Sequence, residues 1–358
     1  MPSDPSHLLA AALVGAGALH ACTLAREAAS SGVSARSPAV AVAPVSPTGG
    51  GTGKVVGLLH PGAMGASIGF NAKLNGAQVL WASEGRSPET AARAAVQEFE
   101  DARTLESLVE RSGVIVSVCP PAAALALAQS VAQLQFSGTY VDANAVAPAT
   151  ATKIAEIIRA GGGKFVDGGI VGGPAWKSGP QGPSTRMYLS GAGAATVAAL
   201  FEGTHLGAPV VHGPSGQEIE TGASAMKIAY ASWTKGSSAL LLNSNAFALA
   251  CGVHETLAKE WVMSVPAALE KSQGGQGIGP KAWRWVGEMN EISQAYQDVG
   301  LSGDFHSGAA TVYEGLAHLK GSAPDKSLVQ MAHELKTKAA CIMGIRWGVK
   351  VGADEADF

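Results

Sequence analysis

Lys54-Val55-Val56-Gly57-Leu58-Leu59-His60-Pro61-Gly62-Ala63-Met64-Gly65 decides how the rest of the chain is read. Its first half is a short apolar run that stops at a Gly/Pro turn, the pattern of a buried strand. Met64 to Asn75 then reads as a helix, so the stretch is a strand, a glycine turn and a helix start. Such a turn suits a dinucleotide. Glycines let the backbone approach a pyrophosphate, and the helix N-terminus offers it N–H groups and the positive end of a dipole. Gly62, Ala63, Met64 and Gly65 are the expected contacts. Gly62 and Gly65 fill the second and third glycine positions, and His60 stands where the first is usual. The bland alternative is a glycine turn in an unrelated α/β protein, and the surrounding pattern has to weigh against it.

That pattern continues downstream. Further short strands are expected at Gln78–Ala82, Val114–Val118, Thr139–Asp142, Lys164–Asp167 and Arg186–Ser190. Helices are expected between them at Glu89–Asp101, Ala122–Leu134 and Pro148–Ala160. Strands alternating with helices predict a parallel sheet with crossover connections. After residue 216 the strand signals fade. Gln217–Cys251, Glu255–Gln273, Ala282–Val299, Ser307–Leu319 and Ser327–Trp347 read as helices, broken at Gly252, Gly274-Gly275, Gly300 and Pro324. The fold class expected is therefore α/β, a Rossmann-type parallel sheet domain over 54–216 followed by an all-α domain over 217–350.

Bulk composition narrows the function classes. Of the 358 residues 47% are hydrophobic and only 15% charged, which argues against a largely disordered chain. A net charge of −3 gives no electrostatic reason to expect nucleic acid or an anionic membrane as partner. The four cysteines, Cys22, Cys119, Cys251 and Cys341, form no Cys-x-x-Cys pair, and His254-Glu255 lacks a second histidine at metalloprotease spacing. No metal site is expected, and the cysteines fit a reducing compartment. Residues 1–53 are rich in Ala, Ser, Pro and Val, with Arg26, Arg36 and few acids. They read either as a transit peptide or as an unstructured leader, so the expected location is cytoplasmic or organellar. Beyond that leader no apolar run reaches the length of a membrane helix.

The second strand ends in Trp81-Ala82-Ser83-Glu84-Gly85-Arg86-Ser87, where the adenosine ribose is read. Glu84 would suit the two ribose hydroxyls of NAD. Arg86 with Ser83 or Ser87 would suit the 2′-phosphate of NADP, the favoured cofactor, with NAD retained as the alternative. A solvated loop is the bland reading of all four residues.

Three landmarks then carry a family resemblance. Gly57 to Gly65 resembles the N-terminal signature of the β-hydroxyacid and 6-phosphogluconate dehydrogenases. Asp167-Gly168-Gly169-Ile170-Val171-Gly172-Gly173 is similar to their substrate-binding Gly-Gly loop, and Gly222-Ala223-Ser224-Ala225-Met226-Lys227 to the segment bearing their catalytic lysine. The C-terminal stretches around Lys227–Gly236 and Pro280–Trp285 resemble a subgroup with its own uncharacterised helical domain. The resemblance implies an NAD(P)-dependent oxidoreductase with Lys227 as catalytic residue. It also implies a nicotinamide near Cys119, Pro120 and Asn144, and substrate contacts at Gly172 and Gly173. The chain departs from the family at Val171, where serine is usual, and at Tyr230 and Ala231, where asparagines are usual. The family's later Lys-Asp pair falls at Gly287-Glu288. A simple 3-hydroxy acid and 6-phosphogluconate are both put in doubt as substrates.

Lys227 has no charged neighbour between Glu220 and Lys235, and a lysine buried beside a cationic nicotinamide would have a lowered pKa suited to proton transfer. Tyr230, one helical turn on, is a second candidate donor or a packing aromatic. Trp283 and Trp285 are candidates for an aromatic pocket wall or for the core, and His306 for a substrate contact or a structural role. Asn144 is a ligand contact or a turn residue. The leading reading is interconversion of a hydroxyl and a carbonyl on a small-molecule substrate. Imine reduction with Tyr230 as donor, and cofactor binding without turnover, stand beside it. The apolar helical stretches Ala239–Cys251 and Ala339–Trp347 point to a homodimer.

Overall fold

The computed structural model describes residues 54–343, with side chains described to residue 338. The expected leader over 1–53 lies outside the described residues, as do the side chains of the apolar stretch Ala339–Trp347.

Eight strands form one sheet. In chain order they are β1 (Val55–Leu59), β2 (Gln78–Trp81), β3 (Glu100–Asp101), β4 (Val114–Ser117), β5 (Thr139–Asp142), β6 (Lys164–Val171), β7 (Thr185–Ser190) and β8 (Leu206–Gly207). Their order across the sheet is β3-β2-β1-β4-β5-β6-β7-β8. The chain runs outward from β1 in one direction and then returns to continue from β4 in the other. The crevice beyond the carboxyl ends of β1 and β4 is thus the switch point where open α/β sheets bind ligands. Crossovers are made by α1 (Ala63–Leu74), α2 (Pro88–Val96), α3 (Leu105–Arg111), α4 (Pro121–Gln133) and α5 (Pro148–Ala160), with a short α6 (Ala194–Ala198) after β7. Two apolar clusters cover the sheet faces. One includes Val56, Leu58, Val116 and Val141, the other Leu80, Ile115, Tyr140 and Ile154. Burial on both faces explains why the strands read as continuous apolar runs.

Several expectations are corrected. The sheet is not wholly parallel, since β6 and β7 pair antiparallel. The helix expected over Glu89–Asp101 ends at Val96. Glu98 turns the chain at φ 52, Phe99 is buried, and Glu100–Asp101 pairs with β2 as an edge strand. The Gly-Gly segment is not a loop until its end, because β6 runs through Gly168 and Gly169 to Val171. Pro266 splits the helix expected over Glu255–Gln273. Proline lacks the N–H that an uninterrupted helix would need there.

The remaining helices are α7 (Gly222–Ala250), α8 (His254–Ser264), α9 (Pro266–Gln273), α10 (Ala282–Asp298), α11 (Asp304–Gly315) and α12 (Leu328–Met343). They share a core that includes Leu242, Met289, Ile292, Tyr313 and Met331. The first two turns of α7 lie across β6. No described helix is long and apolar enough to cross a membrane.

Candidate active site

The glycine turn is built by backbone contacts. His60 adopts φ 68, the left-handed region that favours glycine, so the position keeps the conformation of a first glycine without being one. Its carbonyl accepts the Gly62 N–H at 2.7 Å. A Cβ on Gly65 would lie 2.4 Å from that same carbonyl oxygen, so only glycine lets α1 start so close to the strand end. A Cβ on Gly62 would meet nothing within 4 Å, and Ala63 is exposed. The N-terminus of α1, with half-buried Met64 behind it, therefore opens onto free space. That is the cradle a pyrophosphate needs, and the residues present fit an NAD(P) cofactor.

His60 is half-buried, and burial together with the nearby Arg86 guanidinium pushes its pKa down to about 4. The imidazole is neutral at neutral pH. Arg86 comes from the turn after β2, where its N–H bonds the Ser83 carbonyl at 3.1 Å. The Ser83 N–H bonds Asp101 at 3.2 Å, and the Ser87 hydroxyl caps α2 through Thr90 N–H. Ser83 and Arg86 thus stand at the carboxyl end of β2, beside the end of β1. Glu84 is exposed, with its N–H on the Arg103 carbonyl.

Asn144, after β5, is buried and fully engaged. Its Oδ1 accepts the Cys119 N–H at 2.6 Å, and its Nδ2 donates to Ser117 Oγ at 3.1 Å and to Asp142 Oδ1. The turn Cys119-Pro120 is therefore tied to Asn144 across neighbouring strand ends, while Pro120 itself is exposed. Burial and the Asp142 carboxyl push the Cys119 thiol up to about 11, so it is no thiolate nucleophile.

Lys227 sits in the second turn of α7, half-buried. Its Nζ donates to the Ile170 carbonyl of β6 at 2.5 Å. The helix approaches that closely because of Gly169. A Cβ there would lie 2.6 Å from the Ala223 carbonyl and 2.9 Å from Lys227 Cβ. Burial, reinforced by the Arg284 charge, brings the Lys227 pKa down to about 8. Two further cations belong to this neighbourhood. Lys235, two turns along α7, pairs with Glu288 of α10. Burial and the charges of Lys227 and Arg284 press Lys235 towards its neutral form, and the Glu288 carboxylate opposes them. Arg284, one turn before Glu288, makes no ion pair among the described residues.

The other sequence candidates divide. Gly172 and Gly173 are exposed just beyond the end of β6, and the Gly173 carbonyl accepts the Thr185 hydroxyl at 2.6 Å. Tyr230 is 46% exposed, on the turn of α7 after Lys227. Trp283 lies half-exposed with Lys320 Nζ 4.1 Å from its ring centroid. Trp285 packs edge-on against Tyr313 in the helical core. His306 is structural: it is buried, bonded to Ser232 Oγ at 2.8 Å and packed on Tyr296. Sequence reading missed Arg284, the Lys235–Glu288 pair and the cross-strand pair Asp142 and Asp167. The one available signal for the last was an aspartate closing each of two consecutive apolar strands.

The fold and this geometry define a Rossmann-type dinucleotide-binding protein with a helical C-terminal part. Residues 55–189 match the NAD binding domain of 6-phosphogluconate dehydrogenase, and residues 248–316 match a domain of unknown function, DUF1932. The chain thus carries a 6-phosphogluconate dehydrogenase-type NAD-binding domain followed by a DUF1932 helical domain. No curated protein matches the sequence. A solved 3-hydroxyisobutyrate dehydrogenase from Mycobacterium tuberculosis superposes with a TM-score of 0.55 at 15% identity, over 79% of this chain and 99% of that one. A conserved protein of unknown function, described as structurally similar to 3-hydroxyacid dehydrogenases, gives 0.54 at 24% identity, over 74% and 97%. The 3-hydroxyisobutyrate dehydrogenase of Salmonella typhimurium gives 0.54 at 15%, over 78% and 99%. At these identities the likeness is one of fold.

Proposed function

We propose that the protein is an NADP-dependent oxidoreductase that interconverts a hydroxyl and a carbonyl on a small substrate, with Lys227 as general acid/base. The observation that carries the reading is the half-buried Lys227 amine, held at the carboxyl end of β6 with its pKa brought down to about 8. Such an amine exists in both protonation states near neutral pH, as proton transfer in either direction requires. When bound, the nicotinamide would accept or supply the hydride. In the oxidising direction neutral Lys227 takes the hydroxyl proton; in the reducing direction the ammonium returns it to the carbonyl oxygen. Gly172 and Gly173 line the substrate side. The unpaired Arg284 charge favours a substrate bearing an anionic group. Gly62, Ala63, Met64 and Gly65 hold the pyrophosphate, Ser83 and Arg86 the 2′-phosphate, and Cys119, Pro120 and Asn144 the nicotinamide side. Residues 54–216 are assigned to the cofactor and 217–350 to substrate and dimer contacts.

The test is turnover of a panel of small hydroxy acids, ketones and imines with each nicotinamide cofactor, for the wild type and Lys227→Met. Hydroxyl oxidation abolished in the variant supports the proposal. Imine turnover that survives in Lys227→Met supports the reading with Tyr230 as donor. Cofactor binding with no turnover of any class supports a non-catalytic binder.

Association of two copies through α7 completes the reading. Trp233, Leu240 and Phe247 recur every seven residues along it and are 75%, 55% and 70% exposed. Seven-residue spacing keeps side chains on one helix face, the pattern of a helix seam. Three large apolar groups in a row are costly to leave in water.

A further inference from the structure

Two buried carboxyl groups meet where the end of β5 lies beside the middle of β6. Asp142 and Asp167 are partners in the strand register, and both are fully buried. Two neighbouring carboxylates cannot both stay ionised in such a place without strong compensation. Their hydrogen bonds are unequal. Asp167 receives the Ser224 N–H at 2.7 Å and the Ser224 hydroxyl at 2.6 Å, and shares the Ser190 hydroxyl, 3.1 Å away, with the Glu220 carbonyl. Ser190 Oγ in turn accepts the Ala223 N–H at 2.9 Å. Asp167 therefore caps the N-terminus of α7, whose 29 residues have no side-chain cap of their own. It gains the positive end of that helix dipole as well. Asp142 receives donors from Asn144 alone, its side-chain amide and its backbone N–H, and its Oδ2 has no partner.

The amide fixes which Asp142 oxygen is the acceptor. Asn144 Oδ1 must face the Cys119 N–H, because that backbone group can only donate. Nδ2 must then face Asp142 Oδ1, which is left as an acceptor, and a proton on Asp142 has only Oδ2 to occupy. We propose that Asp142 and Asp167 hold one negative charge between them, with the proton on Asp142 Oδ2 and the carboxylate at Asp167. In this arrangement Asp142 is a positioning residue for Asn144, and Asp167 one for the first turns of the Lys227 helix. The assignment of the proton stands on the hydrogen bonds alone. Its consequence for turnover rests on the roles proposed for Asn144 and Lys227.

The other titratable groups around Asp142 do not upset the assignment. Burial and the Asp142 carboxyl raise both Tyr140 of β5 and Cys119 beyond β4, so both are neutral at neutral pH. From β6 only Asp167 bears on it, and from α7 only the uncharged Ser224, through Asp167. Burial and the Asp167 charge together push Asp142 up to about 7 from its ordinary 3.8. Burial also raises Asp167, against the pull of its serine donors. Asp142 therefore holds a proton between about pH 4 and 7 that it lacks in the unfolded chain, whereas His60, held down to about 4, has lost the proton it carries when unfolded below its ordinary 6.5. The Asp142 contribution to stability falls as pH rises through that window and is isolated by comparing wild type with Asp142→Asn, in which the other groups cancel.

The experiment is carbon NMR titration of protein labelled at the aspartate carboxyls, with melting followed over the same pH range. One aspartate is expected to titrate near pH 7 in the wild type, to vanish in Asp142→Asn and to move to lower pH in Asp167→Asn. The melting temperature of wild type, relative to that of Asp142→Asn, should fall from about pH 4 to 7. With turnover in hand, Asp142→Asn should keep cofactor KM within about threefold while Asp142→Ala raises it about tenfold or more, the loss of one hydrogen bond to a buried group. A wild-type protein whose aspartates all titrate near their ordinary value overturns the proposal. A near-neutral signal that survives in Asp142→Asn overturns it as well. Both readings are independent of whether the enzyme acts on any substrate.

Discussion

Lys227 Nζ donates to the main-chain carbonyl of Ile170 at 2.5 Å, two residues before the exposed Gly172-Gly173 turn. One helix and one strand end thereby set the lysine beside open space rather than in it. The carbonyl accepts from either protonation state of the amine, so Lys227 can gain or lose a proton without losing its anchor.

Replacing Lys227 by methionine should lower kcat by ~10²-fold or more while cofactor affinity is retained. Methionine keeps most of the aliphatic stem against Gly169. Steady-state kinetics with cofactor titration checks it, and near-normal turnover would remove Lys227 from the mechanism.

The pH dependence has a definite sign. Oxidation needs neutral Lys227, so kcat/KM for the hydroxyl substrate should rise through about pH 8 and level off above it. Reduction needs the ammonium and should decline through the same value. Arg284→Gln removes a neighbouring positive charge and should move both midpoints upward. Profiles unmoved in that variant would show that burial alone sets the lysine.

Gly62 and Gly65 should part company when each is changed to alanine. A Cβ at Gly65 collides with the His60 carbonyl, so Gly65→Ala should lower both melting temperature and cofactor affinity. A Cβ at Gly62 meets no protein atom, so Gly62→Ala should leave melting unchanged and weaken cofactor binding alone. Calorimetry of both variants, with and without cofactor, makes the comparison. Unaltered binding in Gly62→Ala would mean that the turn does not face the pyrophosphate.

Arg86→Ala should raise KM for NADP by roughly 10- to 100-fold, the worth of a charge-assisted hydrogen bond, and change KM for NAD little. A wild-type preference for NAD that survives the substitution would exclude the 2′-phosphate role.

Leu240→Asp and Phe247→Asp put charge on the exposed stripe of α7 and should turn dimers into monomers at micromolar concentration. Sedimentation of wild type and variants tests this, and a monomeric wild type would end the dimer reading.

The alternation of short apolar runs with helical stretches was enough to read an α/β sheet followed by helices, because strands buried on both faces leave nearly continuous apolar text. Gly65 was legible because a close backbone approach demands glycine and nothing else, and Gly62 because it precedes that glycine in the same strand-to-helix turn. The edge strand Glu100–Asp101 was not, being two exposed acidic residues that only a neighbour makes into a strand. Nor was the antiparallel β6–β7 pairing, since direction is a property of two strands together. Lys227 stood out as a lone charge in an apolar helix. Its anchor on Ile170, its neighbour Arg284, and the capping of its helix by Asp167 at Ser224 each join residues 57 positions apart. What the sequence by itself determined is the local propensity and the glycine positions, which depend on near neighbours. The tertiary structure alone decided the charge environment, because burial and Coulomb interaction act across space and are blind to order along the chain.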